Sequence, residues 1–221
     1  MVEPINCRFV SFQEIYDMTK KLADAVAASG YNPEVLIAIA RSGFVPGRLM
    51  SDFLGNPCLY SLKVEHWLDT TAQHAKDATI PQRTPLPAKG KRVLVVDDIV
   101  DTGKSAKQAM QYCREQGAKE VKIAVMVYLA NSELEPDFYS IKQVEWVWLS
   151  WFWNKFEDLR NLSLKLFEND KSRVLTLKDI RAGLKKYFKL DVEPAEVEQV
   201  MRTAARIGKV KFTDTDRISL G

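Results

Sequence analysis

The sequence predicts an α/β domain with a mainly parallel sheet flanked by helices, joined to a small α+β, winged-helix-like C-terminal module. Three observations carry this. Continuous apolar runs at Val35–Ala40, Val93–Val96 and Val121–Leu129 alternate with segments of helical periodicity. Such runs suit strands buried on both faces, and strands alternating with helices build parallel sheets. Two of the runs end in polar turns that open a helix, at Arg41-Ser42-Gly43 and at Asp97–Ser105. Beyond about residue 155 the pattern changes to three helices and a hairpin. The expected domains are 1–157 and 158–221.

Residues 11–29 read as a helix, with Ser11 and Glu14 at capping-box spacing and Ile15, Met18, Leu22 and Val26 on one face. Gly30 supplies its stop. The strand VLIAIA follows, then a helix from about Val45 through Leu54 and a third strand from about Cys58 to Glu65, which contains Lys63. Residues 66–90 are polar and punctuated by Pro81, Pro85 and Pro87, so a long functional or mobile loop is expected. His66 and His74 fall near it without a partner at metal-ligand spacing and are assigned no role.

The strand Val93–Val96 ends at Asp97 and Asp98, and the following helix has Ala106, Ala109, Met110 and Cys113 on one face. After the strand Val121–Leu129 comes QVEWVWLSWFW, where alternation puts Trp146, Trp148 and Ser150 on one side of any strand. The tail carries helical faces at Leu177, Ile180, Leu184 and Phe188 and at Val197, Val200, Met201 and Ala204. A hairpin around Asp214-Thr215-Asp216 closes it.

Bulk properties narrow the function classes. Hydrophobic content of 46% and charged content of 28% are those of a soluble globular chain. A net charge of +3 is too small to argue for nucleic acid. From Lys155 onward 15 Lys+Arg stand against 11 Asp+Glu, a mild basic excess that makes DNA binding by the tail a minor expectation. No apolar run suits a bilayer span, and MVEPINCRF lacks the pattern of a signal peptide. Cys7, Cys58 and Cys113 are odd in number and scattered, as reduced core thiols are, so a cytoplasmic protein is expected.

The chemistry is concentrated in RVLVVDDIVDTGKSA, residues 92–106. A strand, a loop and a helix start in that order aim backbone N–H groups and a positive dipole end at one point. Gly103 permits the tight turn, while Thr102, Lys104 and Ser105 add donors, making a phosphate cradle. Asp97 and Asp98 repel phosphate but suit ribose hydroxyls, bound directly or through Mg²⁺. Asp101 lies between the two subsites. At Arg41-Ser42-Gly43 a cation and backbone donors suit a diphosphate, although a plain strand-to-helix turn reads equally well from the residues alone.

DDIVDTGKSA resembles the phosphoribosyl-diphosphate loop of the type I phosphoribosyltransferases, most of all their archaeal and bacterial 6-oxopurine branch. ARSGFVPGRL resembles the diphosphate loop of the same enzymes, in which a peptide bond is strained to aim an N–H; Arg41–Ser42 is the equivalent bond. The resemblance covers residues up to about 160. It implies the type I fold and transfer of the 5-phosphoribosyl group from 5-phospho-ribose 1-diphosphate to N9 of a purine, with Mg²⁺ as cofactor, in purine salvage. It further implies Asp101 as the catalytic acid–base group and Asp97 and Asp98 on the ribose hydroxyls and the metal, directly or through water. Thr102, Gly103, Lys104 and Ser105 then hold the phosphate, and Arg41, Ser42, Gly43 and Lys63 the diphosphate.

In the relatives a Trp followed by an aliphatic residue, four residues before another Trp, holds the base. Trp148 and Leu149, followed by Trp153-Asn154, match, with Phe152 where proline is usual. Trp148 is expected to stack and Leu149 to give a backbone contact. The family also has a loop that closes over the reaction in the place of residues 66–90. Ala130 stands where 6-oxopurine enzymes carry a lysine for the exocyclic oxygen, which opens the choice between oxo- and aminopurines. Asp101 favours 6-oxopurines, because the adenine branch commonly has a small residue there. A homodimer without membrane contact is expected. The alternatives are an adenine-preferring enzyme and a phosphoribosyl-diphosphate-sensing regulator whose C-terminal module binds DNA.

Overall fold

The computed structural model describes residues 2–67, 74–168 and 173–221. In chain order the elements are β1 (Cys7–Val10), α1 (Phe12–Ala28), β2 (Val35–Ala40), α2 (Phe44–Phe53), β3 (Leu59–Lys63), β4 (Glu65–Trp67), β5 (His74–Thr79), β6 (Arg92–Val100) and α3 (Lys104–Glu115). They continue as β7 (Glu120–Leu129), β8 (Phe138–Gln143), β9 (Trp148–Trp151), α4 (Lys155–Lys165), β10 (Leu175–Thr176), α5 (Leu177–Phe188), α6 (Pro194–Arg206), β11 (Val210–Phe212) and β12 (Arg217–Leu220). Two compact units divide them. One runs from Phe12 to Trp146; the other joins the N-terminal segment through Ser11 to Val147–Gly221.

In the first unit β3-β2-β6-β7-β8 form a five-stranded sheet, and every neighbouring pair is parallel. Period-two alternation distributes its side chains between two cores. Ile37, Ile39, Val93, Val95, Ile123 and Val125 pack with Ala106, Ala109, Met110 and Cys113 of α3. Leu36, Leu94, Val96 and Ala124 pack instead with Leu22, Ala23 and Val26 of α1 and Met50 of α2. Both faces are therefore covered, which is why these strands read as continuous apolar runs. Buried Thr19 donates from Oγ1 to the Ile15 carbonyl at 2.7 Å, satisfying its hydroxyl inside α1.

In the second unit β1 pairs in parallel with β9, and α4, α5 and α6 share one core. Cys7, Leu159, Leu162, Phe167, Leu184, Phe188, Val200 and Met201 belong to that core. A three-stranded sheet, β10-β12-β11, completes the small α+β module. Thr176 and Asp179 cap α5 reciprocally: Asp179 N–H donates to Thr176 Oγ1 at 3.1 Å and Thr176 N–H to Asp179 Oδ2 at 2.9 Å. Those bonds from Thr176 hold the Asp179 carboxyl below its ordinary range. No helix among the described residues is long and apolar enough to cross a membrane.

The observed elements differ from the expected ones in three places. The expected boundary at 157/158 falls inside α4, and the C-terminal unit takes in the first residues of the chain and β9. Its core needs Cys7 and the flanking Ile5, Phe9 and Trp148, contacts that sequence distance conceals. Part of the expected loop 66–90 is regular, since β4 pairs antiparallel with β5, with Glu65 opposite Thr79. HAKDAT carries no apolar alternation, so periodicity could not mark it as a strand. The tip, residues 68–73, lies outside the described residues, and with it the expectation of a closing loop. Finally, the strand before the phosphate turn extends to Val100, with pairs at Asp97↔Val125, Ile99↔Val127 and Val100↔Tyr128.

Candidate active site

The parallel register brings the predicted phosphate-binding segments to one sheet edge. Ala40, the last residue of β2, lies opposite Lys63, the last of β3, while Ala38 lies opposite Val96 of β6. The Arg41–Gly43 turn, Lys63 and the acids of β6 thus leave the same C-terminal edge, where open α/β sheets collect ligands. Gly43 makes the close approach possible. A Cβ there would lie 2.6 Å from both the Ile39 and the Val96 carbonyl oxygens, so only glycine lets the turn rest on β6 one residue before Asp97. The non-proline cis peptide bond of this turn is Ala40–Arg41, one bond earlier than the expected Arg41–Ser42. It falls where the β2–β3 pairing ends, at Ala40↔Lys63. The Lys63 ammonium pairs with Glu65 at 2.6 Å, both half-exposed, so a diphosphate would compete only with a weak surface ion pair.

Asp97 and Asp98 are 7% and 5% exposed. Asp98 N–H donates to Asp97 Oδ1 at 3.0 Å, Ile99 N–H donates to Asp98 Oδ1 at 2.8 Å, and the two carboxyls hydrogen-bond to each other. Burial and then the neighbouring Asp98 charge push the Asp97 carboxyl well above its usual range. Asp98 is also raised by burial, but less, because it accepts from Asp97, from Ile99 N–H and from the Ser42 hydroxyl. Two acids this close and this dry disfavour ionising together. The Ser42 bond joins the diphosphate turn to the acid pair.

The next turn is shaped by Gly103, which has φ +85 and stands as N-cap of α3 without a side-chain cap. Gly103 thus offers the first N–H groups of α3 no side-chain cap, which suits an anion at this helix start. Thr102 and Ser105 are half-buried beside it, and Lys104 N–H donates to Thr102 Oγ1 at 3.4 Å. A Cβ on Gly103 would meet Leu134 Cβ at 2.7 Å and Ser132 Oγ at 3.1 Å. The glycine is needed against the β7–β8 connection as well as for the turn, a constraint from distant residues that the sequence did not show. Lys107 of α3 fastens the same connection through Glu133 at 3.0 Å, which holds the Glu133 carboxyl below its ordinary range. Asp101 is half-buried in this turn.

Trp148 and Leu149 lie in the other compact unit, on β9. Trp148 is half-buried, sits opposite Cys7 and donates its N–H to the Asn6 carbonyl at 2.8 Å. Since backbone groups alternate in direction along a parallel strand, the N–H and C=O of Leu149 point away from β1. Its side chain is buried, leaving the peptide as its recognition group. Trp146 precedes β9 and belongs to the first unit, so it does not share the strand face that alternation gave it. Trp151 stacks on Trp153 with centroids 5.3 Å apart at 9°. Ala130 N–H donates to the Gln143 carbonyl at 2.9 Å, and its methyl offers the edge no donor. Sequence reasoning missed Asp158, a fully buried carboxylate bonded to Ser150, because its place beside Leu159 looks like an ordinary polar step of an amphipathic helix.

Comparison with known proteins agrees with this geometry. The family described as phosphoribosyl transferase domain matches residues 11–156. Xanthine-guanine phosphoribosyltransferase of Idiomarina loihiensis is 30% identical over 145 residues, covering 65% of this chain and 85% of that protein. The transcriptional regulator GfcR of Methanocella arvoryzae is 26% identical over 96 residues, covering 43% and 46% respectively. The purine phosphoribosyltransferase of Pyrococcus horikoshii superposes with a TM-score of 0.57 at 27% identity, over 67% of this chain and 94% of that one. The match spans the Arg41–Gly43 and Asp101–Ser105 turns, the acid pair and the whole parallel sheet, and this chain belongs to the phosphoribosyl transferase domain family.

Proposed function

We propose that this protein is a purine phosphoribosyltransferase of salvage metabolism. It transfers the 5-phosphoribosyl group from 5-phospho-ribose 1-diphosphate to N9 of a purine, with 6-oxopurines preferred, and releases diphosphate. The observation that supports this most is the buried Asp97–Asp98 pair leading directly into the Asp101–Ser105 turn, with Arg41–Gly43 on the same sheet edge.

The turn and the α3 N-terminus, with Thr102, Lys104 and Ser105, hold the 5-phosphate. Asp97 and Asp98 accept from the ribose hydroxyls, and their negative charge favours the positive charge that develops on the ribose ring as the diphosphate departs. Arg41, the Ser42-Gly43 backbone and Lys63 take the diphosphate. Asp101 manages a base proton at purine N7, Trp148 stacks on the ring and the Leu149 peptide meets its edge. The acid pair fits Mg²⁺: two buried, adjacent carboxylates are hard oxygen ligands whose mutual repulsion a divalent cation would relieve. When bound, Mg²⁺ supplies charge neutralisation to the leaving diphosphate.

Turnover of hypoxanthine, guanine, xanthine and adenine, followed spectrophotometrically with Mg²⁺ and phosphoribosyl diphosphate, tests this. The expected order places the oxopurines ahead of adenine by a modest factor. Ala130 removes a charged donor, and hydrogen bonds to ionised groups contribute about 1.5–3 kcal/mol against about 0.5–1.5 for neutral ones. Ala130→Lys should widen the preference for hypoxanthine. A strong adenine preference would overturn the substrate assignment, and no turnover with any purine would overturn the reaction. The proposal includes a homodimer, which sedimentation velocity would show.

The regulator reading draws on the α+β module, its basic excess and the partial match to GfcR. Against it, Asp214 and Asp216 stand exposed at the hairpin tip and Glu193 stands exposed where α6 begins. Phosphate contact calls for the opposite charge. A gel-shift experiment with genomic fragments, with and without phosphoribosyl diphosphate, separates the two readings.

A further inference from the structure

We propose that Asp158 is a positioning residue for the base subsite: its buried carboxylate, bonded to Ser150, fixes the register of β9 on β1 and so places the Trp148 ring and the Leu149 peptide. This rests on the assignment of Trp148 and Leu149 to the base.

Ser150 and Asp158 are both fully buried, at 0% exposure, and Ser150 Oγ donates to Asp158 Oδ2 at 2.8 Å. Ser150 follows Leu149 directly on β9, two residues after Trp148. Asp158 is held from the other side by the first turn of α4, where its N–H donates to the Asn154 carbonyl at 2.8 Å. The carboxylate is felt on β1 as well. Burial pushes the thiol of Cys7, the register partner of Trp148, up to about 12; the Asp158 charge adds to this, and Lys165 works against it. One acid thus bears on both strands of the pair.

The pair needs such a pin. β1 and β9 form a sheet of two parallel strands, with four residues in register and no third strand among the described residues. Parallel pairing is the weaker kind, and two strands alone are marginal. Register is normally set by alternation of buried and exposed side chains, because a one-residue slip turns the apolar set outward. β9 lacks that protection: Leu149, Ser150 and Trp151 are buried in succession. A slip by one residue would set Leu149 or Trp151 against Asp158 and leave a dry carboxylate without its hydroxyl, which is strongly unfavourable. The same slip would turn Trp148 to the opposite face and aim the Leu149 peptide at β1. Apolar residues of similar volume would fill the space at least as stably, so specificity of register accounts for this pair better than stability does.

The test uses the full chain and the variants Ser150→Ala, Asp158→Asn and the apolar pair Ser150→Ala/Asp158→Leu. Three quantities are read: thermal midpoint, separate KM values for hypoxanthine and phosphoribosyl diphosphate, and the fluorine NMR spectrum of protein labelled with 5-fluorotryptophan. Trp148→Phe assigns the Trp148 resonance. The apolar pair should keep or raise the thermal midpoint, split or broaden the Trp148 resonance, raise the hypoxanthine KM by roughly tenfold and leave the phosphoribosyl-diphosphate KM within about twofold. Asp158→Asn keeps an oxygen for the Ser150 hydroxyl and should retain most of the purine affinity.

A folded apolar pair with one sharp, unmoved Trp148 resonance and an unchanged hypoxanthine KM overturns the proposal. Should that pair fail to fold, Ser150→Ala, which removes only a hydroxyl, decides by the same readouts. Trp148→Ala separates the two levels. If it leaves the hypoxanthine KM unaltered, the base assignment fails and this proposal with it. If it raises that KM while the register variants do not, the register argument fails alone.

Discussion

At Asp97 burial and the neighbouring Asp98 charge both oppose ionisation, a cost that the proposed ribose and Mg²⁺ contacts would offset. Asp97→Asn keeps the oxygen that accepts from Asp98 N–H and removes the repulsion. It should raise Tm of the ligand-free protein by about 2–4 °C, the shift that ~1 kcal/mol gives at this size, while turnover falls at least roughly tenfold. Calorimetry and the purine assay on one preparation check both halves. Asp101→Asn should preserve folding and nucleotide binding while reducing turnover by roughly 10²–10⁴-fold, the scale of a lost acid–base group. Near-normal turnover would remove Asp101 from the chemistry.

The thiols give the pH dependence. Burial pushes Cys7 and Cys113 up to about 12 from the usual 9.0, so between those values the folded state binds more protons than the unfolded one. Their contribution to stability is complete below pH 9 and is lost as pH rises towards 12. Tm should therefore decline across that alkaline window. At pH 8 a thiol reagent should titrate exposed Cys58 in the native protein and reach Cys7 and Cys113 only on unfolding. Fast labelling of more than one thiol would contradict this burial.

The two turns that leave the sheet edge make different demands on their glycines. Gly103 has a left-handed backbone and faces Leu134, whereas Gly43 has an ordinary φ of −70 but a Cβ there would lie 2.6 Å from carbonyl oxygens of β2 and β6. Gly103→Ala should cost ~1–2 kcal/mol for the left-handed backbone alone. A further loss is expected because the new Cβ meets Leu134 at its Cβ and backbone nitrogen, in a partly exposed connection that can shift more easily than the sheet. Gly43→Ala has no flexible neighbour to displace, and about 3 kcal/mol or more is expected, since sheet backbone must open. Chemical denaturation of both variants ranks them. A smaller loss at Gly43 than at Gly103 would mean that the turn stands off β6. A bulky residue at position 103 should damage phosphate binding indirectly, by displacing the connection through Ser132 and Leu134.

For the molecule as a whole, the residues proposed for the phosphates and those proposed for the base belong to different compact units. Their variants should therefore separate in kinetics. Trp148→Ala should raise the KM of every purine by a similar factor, because stacking reads the ring face, and leave that of phosphoribosyl diphosphate unaltered. Lys104→Ala should do the reverse. Truncation after residue 157 cuts α4 and removes Leu159, Leu162, Phe167, Leu184 and Met201 from the core that contains Cys7 and is flanked by Trp148. Such a fragment should lose purine affinity and expose apolar surface to a dye such as ANS. A fully active fragment would instead show that residues 1–157 stand alone as a domain.

The fold class, the two turns at the sheet edge and the candidate acids were legible because each depends on neighbours in the chain. VLIAIA and RVLVV announce doubly buried strands by composition, and the Asp101–Ser105 turn carries its glycine, hydroxyls and helix start within a few residues. What escaped depends on contacts between distant segments. The Ser42 hydroxyl on Asp98, Leu134 against Gly103, and Ser150 on Asp158 leave no period in the sequence, because each partner looks ordinary by itself. The short β4–β5 ladder likewise arises from pairing that its polar residues do not signal. Local pattern determined where strands, helices and ligand groups lie along the chain. The tertiary structure alone decided which acids are buried together and which accept from a hydroxyl, because burial and hydrogen-bond partnership are properties of packed surfaces.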